Sequence, residues 1–149
     1  MNDQKNILLV EDSQNDVELM LATLEEAGLL HEVVVVRDGA EALDYLFRLG
    51  NYVNRKAEDP IVILLDIKMP KVSGLEVLRA LRADPQLQTL PVVILTSSRE
   101  EKDIRESYKL GTNAYVVKPV DFEQYTKAIE DIGRFWGTRN EPPPTNTEK

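Results

Sequence analysis

The chain has 149 residues, 42% of them hydrophobic, and a net charge of −8 from 26 acidic and 18 basic side chains. This length corresponds to about one domain, and the acidic surface disfavours binding to nucleic acid phosphates or anionic lipid. The absence of cysteine excludes disulfides and thiolate metal sites, and no apolar run approaches the roughly 18 residues that a membrane span needs.

In chain order, five short apolar runs alternate with five segments whose apolar residues recur at helical spacing. The runs predict strands at Ile7–Val10, Val33–Val36, 61–65, 91–96 and 114–118. The third run, five apolar residues without alternation, is typical of a strand that is buried on both faces of a parallel sheet. It ends at Asp66, and Pro70 prevents the strand from continuing much further.

Each predicted helix begins at an oxygen-bearing side chain that is followed three residues later by a carboxyl or amide group. The pairs are Ser13/Asp16, Asp38/Glu41, Ser73/Glu76, Ser98/Glu101 and Asp121/Gln124. This spacing is that of the capping box, which satisfies free amides at a helix N-terminus. The last helix carries a stripe that we expect to face the core, formed by Phe122, Tyr125, Ile129, Ile132 and Trp136.

The alternation of strand and helix predicts an α/β fold with a doubly wound, five-stranded parallel sheet and helices on both faces. We expect the flavodoxin-like strand order 2-1-3-4-5, with the switch point between strands one and three. The domain is predicted to span residues 1–137, and residues 138–149, which are rich in proline and polar residues, are predicted to be disordered. The N-terminus lacks the pattern of a signal peptide, so we expect a cytoplasmic protein.

Polar side chains end four of the five strands at the edge where such sheets place their sites. Glu11 and Asp12 follow strand one, Asp66 follows strand three, and Thr96 and Lys118 end strands four and five. Three converging carboxylates repel one another, and a hard cation such as Mg²⁺ relieves that repulsion. A nucleophile, Mg²⁺, a cation and a hydrogen-bond donor are the groups that phosphoryl transfer needs.

Four motifs in this order resemble the receiver domain of two-component response regulators. They are Val10-Glu11-Asp12-Ser13, Leu65-Asp66-Ile67-Lys68-Met69-Pro70, Leu95-Thr96-Ser97 and Tyr115-Val116-Val117-Lys118-Pro119, and the resemblance covers roughly residues 5–136. It implies a signalling protein that catalyses only its own phosphorylation and dephosphorylation. Its expected partners are a sensor histidine kinase or a histidine phosphotransfer protein, and a downstream target protein.

The resemblance also implies roles for the residues at the sheet edge. Asp66 would be the phosphoacceptor, and Lys118 would pair with the phosphoryl group. The Asp12 and Asp66 carboxylates and the backbone carbonyl of Lys68 would bind Mg²⁺, with Glu11 acting through water.

The remaining implied roles concern switching and the lifetime of the phosphoryl group. Thr96 would hydrogen-bond a phosphoryl oxygen while Tyr115 changes rotamer. Lys68 and Ser98, each two residues beyond a motif residue, would tune how long the phosphate lasts. The family pattern further implies a cis peptide bond before Pro119.

A narrower resemblance is to the small stand-alone regulators that work with phytochromes and related kinases, which often form homodimers. It depends on the long 51–60 connection with Asn51-Tyr52, and on Phe135-Trp136 near the end of the last helix. If the face from helix four to helix five forms a dimer that depends on phosphorylation, we expect Arg105, Tyr108 and Lys109 to lie in it.

Two other classes of protein use a similar sheet. An aspartyl-phosphate hydrolase would carry Asp-x-Asp-x-Thr after strand one, where this chain has Glu11-Asp12-Ser13, and it would need a cap insertion. A flavin electron carrier would need small hydroxyl and glycine residues in that loop, where acids would repel the flavin phosphate. Turnover of phosphate esters would favour the first class, and a yellow purified protein the second.

Overall fold

The computed structural model describes residues 6–29, 33–56 and 58–144. In this part of the chain the strands are β1 (Ile7–Val10), β2 (Val33–Val36), β3 (Val62–Leu65), β4 (Val92–Thr96) and β5 (Ala114–Val117). The α-helices are α1 (Gln14–Glu26), α2 (Gly39–Phe47), α3 (Gly74–Ala83), α4 (Glu101–Lys109) and α5 (Phe122–Arg134). A 3₁₀ turn at Gly50–Tyr52 follows α2, and a π-helix at Phe135–Arg139 follows α5.

The five strands form one parallel sheet in the order β2-β1-β3-β4-β5. The predicted fold and strand order are therefore confirmed. The register places Val10 beside both Val36 and Leu65, and Leu65 beside Ile94. Because these strands end at the same level, the residues that follow β1 and β3 leave the sheet side by side.

The core has two layers, one on each face of the sheet. Ile63 and Leu65 belong to the layer that α2 and α3 cover, whereas Val62 and Leu64 belong to the layer that α1 and α5 cover. Each of these four side chains is at most 1% exposed. A strand that packs on both faces needs apolar residues at every position, which explains the unbroken run in the sequence.

Four of the five predicted caps form. The side chains of Ser13, Asp38, Ser73 and Asp121 accept hydrogen bonds from backbone amides in the first turn of their helices. The predicted Ser98/Glu101 pair is wrong, because α4 starts after Glu100 and no described side chain caps it. Ser98 Oγ instead donates to Asp103 Oδ2 over 2.6 Å and accepts the amide hydrogen of Glu100 at 3.3 Å, one residue before α4 begins.

The predicted apolar stripe on α5 faces the core at its central residues but not at its first residue. Tyr125, Ile129 and Ile132 are buried in the layer under α1 and α5, and Trp136 packs partly buried against it. Phe122 is 66% exposed and lies at the rim of a groove between α1 and α5. It is the first residue of α5, ahead of the turn at which the helix reaches the core.

The C-terminal boundary at residue 137 stays a prediction. The π-helix continues to Arg139, and residues 145–149 of the predicted tail lie outside the described residues. Among the described helices, none combines the length and the apolar character that crossing a membrane requires.

Candidate functional site

Three carboxylates meet at the carboxyl edge of β1 and β3. The Asp66 amide donates to the Val10 carbonyl over 3.2 Å, which places Asp66 beside the end of β1. Oxygen atoms of Glu11, Asp12 and Asp66 lie within 4.8 Å of one another. Glu11 is 1% exposed and Asp66 8%, whereas Asp12 faces solvent. This all-oxygen donor set, with one open side, suits a hard divalent cation that keeps several waters.

Lys118 is the cation of the site, and its contacts are unequal. Its Nζ lies 2.9 Å from Glu11 Oε1 and 2.9 Å from Asp16 Oδ2, but 3.6 Å from Asp66 Oδ2. The Lys118 amide donates to the Thr96 carbonyl over 2.7 Å, so the ends of β4 and β5 fix the base of this side chain. The lysine therefore reaches across β4 and β3 towards the start of α1.

Burial and charge act in opposite directions on these groups. Burial alone would lower the pKa of Lys118, but the hydrogen bond to Asp16 and the charges of Asp66 and Glu11 raise that pKa above its usual value. Lys118 is therefore an ammonium at neutral pH. Burial raises the pKa of Glu11, and the contact with Lys118 opposes that shift only in part. Four carboxyl groups, those of Glu11, Asp12, Asp16 and Asp66, thus surround a single lysine.

Thr96 is fully buried at the end of β4 and connects the site to β5. Its Oγ1 accepts the Ser98 amide hydrogen at 3.4 Å, and the Tyr115 hydroxyl donates to the Ser98 carbonyl at 3.1 Å. Burial raises the pKa of Tyr115, so this hydroxyl remains protonated and can donate. A displacement of Thr96 would therefore change the surroundings of Tyr115.

The loop after β3 is held close to the site. The Lys68 amide points to Asp66 Oδ1 at 3.4 Å, while the Lys68 side chain is 62% exposed with its Nζ 3.9 Å from Asp103 Oδ2. The Gly74 amide donates to the Ile67 carbonyl over 2.9 Å. A Cβ at Gly74 would overlap the Asp66 carbonyl oxygen, so only glycine allows α3 to begin here.

The geometry corresponds to a known family. The model of the response regulator receiver domain matches residues 7–130. The chain belongs to this family.

Similar receivers include regulators that are associated with phytochromes. The response regulator Rcp1 of Synechocystis sp. is 39% identical over 135 residues, which are 91% of this chain and 90% of Rcp1. The cyanobacterial phytochrome response regulator RcpA, whose crystal structure is of the phosphorylated form, is 41% identical in sequence to this chain. The two structures superpose with a TM-score of 0.88, and 95% of this chain aligns with 99% of RcpA.

Two further structures extend this comparison. The Mn²⁺-bound form of response regulator Rcp1 has a TM-score of 0.88 at 38% identity, with 95% of this chain and 100% of that chain covered. The bacteriophytochrome response regulator RtBRR is 59% identical, with a TM-score of 0.74, and 94% of this chain aligns with 84% of RtBRR. The predicted resemblance to receivers, and to the phytochrome-associated group among them, is confirmed.

The structure brings most of the predicted site residues of this receiver together. Glu11, Asp12, Asp66 and Lys118 form one cluster, as described above. The switch and lifetime residues lie around it: Thr96, Ser98 and Tyr115 in one hydrogen-bonded chain, and Lys68 on the loop after Asp66. The described residues contain no cis peptide bond, so the bond before Pro119 is trans, unlike the family pattern.

Two acidic residues near the site were not predicted from the sequence. Asp16, which we assigned to a helix cap, bonds Lys118, and Asp103 contacts both Ser98 and Lys68. A signal for Asp16 was present: it lies one turn beyond Glu11-Asp12, on the helix that starts at the site. No local pattern singles out Asp103 from the other acids of α4.

Proposed function

We propose that this chain is a single-domain response regulator in which Asp66 accepts a phosphoryl group from a histidine kinase or a histidine phosphotransfer protein. The observation that carries this proposal is the convergence of Asp66 with Glu11 and Asp12 within 4.8 Å, and with Lys118 at 3.6 Å. This arrangement combines an acceptor carboxylate, a set of cation ligands and a fixed ammonium at one point.

In the proposed transfer, a carboxylate oxygen of Asp66 attacks the phosphorus of a phosphohistidine, and the P–N bond breaks as the imidazole leaves. Lys118 neutralises charge on the phosphoryl oxygens. Mg²⁺, when bound, supplies positive charge that offsets the carboxylates, so that an anionic phosphoryl donor can approach them. Asp12, Asp66 and the Lys68 carbonyl would hold this ion, with Glu11 acting through water, and the oxygen ligands described above fit that role.

The signal would pass through the end of β4. The Thr96 hydroxyl would donate to a phosphoryl oxygen, which draws the loop towards Asp66 and disturbs the bond from Tyr115 to the Ser98 carbonyl. Such a local change can bias a surface that has two arrangements. The resulting contacts, with a downstream protein or a second copy of the chain, would use the face around α4 and β5. Arg105, Tyr108 and Lys109 are exposed on α4.

The expected partner kinase is of the phytochrome type, since RcpA and RtBRR are regulators of phytochromes by name. The Mn²⁺ in a structure of Rcp1 supports metal binding at the acidic cluster. The proposed location is the cytoplasm, because a histidine kinase takes its phosphoryl group from ATP and would pass it on where ATP is present. The net charge of −8 gives no support for nucleic acid or membrane as a partner. Apart from phosphorylation and dephosphorylation of its own Asp66, no enzymatic activity is proposed.

The direct test is intact mass spectrometry after incubation with acetyl phosphate. We expect the parent protein to gain one labile phosphoryl group with Mg²⁺ and none with excess chelator. Asp66→Asn keeps the shape of the side chain but removes the nucleophilic carboxylate, and should gain nothing. A phosphoryl group that also appears on Asp66→Asn would show that another residue is the acceptor.

A further inference from the structure

The ammonium of Lys118 is shared unequally among three carboxylates. A lysine has three N–H donors, and two of them are directed to Glu11 Oε1 and Asp16 Oδ2, each at 2.9 Å. The distance to Asp66 Oδ2 is 3.6 Å, which is longer than a charge-assisted hydrogen bond. Lys118 therefore forms its shorter bonds with residues other than the proposed acceptor.

Asp16 is free to bind Lys118 because Glu11 replaces it in the helix cap. In a capping box, the carboxylate at this position turns back to the amide of the capping residue. Here the Ser13 amide donates to Glu11 Oε2 over 3.2 Å, while the Asp16 amide is capped by Ser13 Oγ at 3.3 Å. The Asp16 carboxylate points into the site, and its bond to Lys118 joins α1 to the end of β5.

We propose that Asp16 is a positioning residue that holds Lys118 back from Asp66 in the unphosphorylated protein and thereby opposes phosphorylation. The second half of this inference rests on the proposed function. A phosphoryl group on Asp66 would carry about 1.5 to 2 negative charges in place of the single charge of the carboxylate, and Lys118, whose Nζ lies 3.6 Å from Asp66 Oδ2, would turn towards it.

On phosphorylation, Lys118 would lose its contact with Asp16 and keep its contact with Glu11. The Asp16 side chain is 28% exposed, whereas that of Glu11 is 2% exposed. Water can replace the ammonium at Asp16, but a buried Glu11 without its partner would be an unpaired charge. Because the bond between Asp16 and Lys118 is then stronger in the unphosphorylated state, it shifts the equilibrium towards that state.

The test compares Asp16→Asn with the parent and with Glu18→Gln. Asp16→Asn removes the charge and keeps the shape and the backbone amide that Ser13 caps. Glu18→Gln makes the same change in net charge on the exposed side of α1, where Glu18 binds Gln14. Thermal unfolding midpoints establish that all three proteins fold.

The first measurement is NMR of the unphosphorylated proteins, which follows the ¹⁵N resonance of the Lys118 ammonium and the ¹³C resonance of the Asp66 carboxyl group. In Asp16→Asn we expect both to shift as Lys118 moves to Asp66, and in Glu18→Gln neither. An Asp66 resonance that stays unchanged in Asp16→Asn would overturn the proposal.

The second measurement is the ratio of phosphorylated to unphosphorylated protein at limiting acetyl phosphate with Mg²⁺. We expect Asp16→Asn to raise this ratio by about threefold to tenfold, the range of a partly exposed charge-assisted bond, and Glu18→Gln to leave it unchanged. An unchanged or lower ratio in Asp16→Asn would overturn the proposal. If the parent accepts no phosphoryl group at all, the proposed function fails, while the NMR measurement still decides whether Asp16 holds Lys118.

Discussion

The centre of the sheet and its β5 edge differ in how firmly they are packed. Every residue of β1 and β3 is at most 5% exposed, and their ends hold Glu11 and Asp66 in a fixed register. In β5 all four residues are partly exposed, and among the described residues of α4 only Ser107 is buried. Elements with few buried apolar contacts open and shift at lower free energy than the centre of a core.

This difference matches the two tasks of a receiver. Phosphoryl transfer requires an acceptor and cation ligands that keep a fixed geometry relative to one another. Signalling requires an element that can adopt two arrangements. Under the proposed function, the ends of the buried strands would serve the first task and α4 and β5 the second, and hydrogen bonds run from Thr96 through Ser98 to Tyr115 between them.

The largest expected effect is on the free energy of unfolding, measured for one isoleucine variant in the buried centre of the sheet and one in α4. Ile63→Ala, in the centre of β3 and 0% exposed, should lower the free energy of unfolding by about 2–5 kcal/mol. Ile104→Ala, partly exposed on α4, should lower it by about 1 kcal/mol or less. Urea unfolding of both variants gives the two values. Equal losses would mean that α4 is packed as firmly as the sheet.

The connection between the regions is tested by Thr96→Val, which replaces the buried hydroxyl with a methyl group. We expect Asp66 to be phosphorylated at a rate within about threefold of the parent, because Thr96 is neither nucleophile nor cation ligand. The equilibrium between the two Tyr115 environments, read from its NMR signal in the phosphorylated protein, should shift about tenfold towards that of the unphosphorylated protein, the factor that one lost hydrogen bond of roughly 1.4 kcal/mol corresponds to.

Thr126→Val on α5, whose hydroxyl bonds only locally to the Glu123 carbonyl at 2.9 Å, is the control for loss of a hydroxyl. A full Tyr115 response in phosphorylated Thr96→Val would show that another route carries the signal.

The lifetime of the phosphoryl group tests the loop after β3. Lys68→Ala should lose its phosphate about threefold faster than the parent, a modest effect for a side chain that is 62% exposed. The reason is that Lys68 would crowd or pair with the phosphoryl group and hinder attack by water. Lys71→Ala removes a neighbouring exposed lysine that pairs with Asp38 instead, and should change nothing. A Lys68→Ala protein as long-lived as the parent would refute the role of Lys68.

The smallest expected effect is in the connection after α2, which belongs neither to the acidic cluster nor to α4 and β5. The Tyr52 hydroxyl donates to Glu41 over 2.6 Å, and this bond raises the pKa of Tyr52 to about 12. Tyr52→Phe should lower the free energy of unfolding by about 0.5–1 kcal/mol at neutral pH and leave phosphorylation unchanged.

Because the pKa is raised on folding, the contribution of Tyr52 is complete below about pH 10 and disappears as the pH rises towards 12. Unfolding curves of parent and variant at pH 7 and above pH 10 measure this change. Tyr108→Phe, on the exposed face of α4, is the control. A difference that persists unchanged at high pH would contradict the bond to Glu41.

The sequence predicted the sheet well because buried parallel strands leave a strong local pattern. The unbroken runs around Leu8 and Ile63 mark strands packed on both faces, and right-handed crossovers then restrict their order. It failed where tertiary contacts compete with a local motif. Ser98 has the spacing of a cap but bonds Asp103, and Phe122 continues the stripe of α5 but stands outside the core.

The site was predictable to the extent that strand ends define it. Asp66 and Thr96 follow buried runs, so their meeting at one edge follows from a parallel sheet. The partners of Lys118 were not predictable, because Asp16 lies 102 positions away and Lys118 meets it only by reaching across β4 and β3 to the start of α1. A carboxylate in the first turn of a helix, such as that of Asp16, is usually explained as a capping residue, so its contact with Lys118 was not predicted.

Hydrogen exchange, followed by mass spectrometry with and without acetyl phosphate and Mg²⁺, tests the account most directly. On phosphorylation we predict changed protection in peptides that cover α4 and β5, with β1 and the centre of β3 unchanged, and no change anywhere in Asp66→Asn. Phosphorylated protein in which α4 and β5 exchange as before, or in which the change is spread evenly over the sheet, would contradict it.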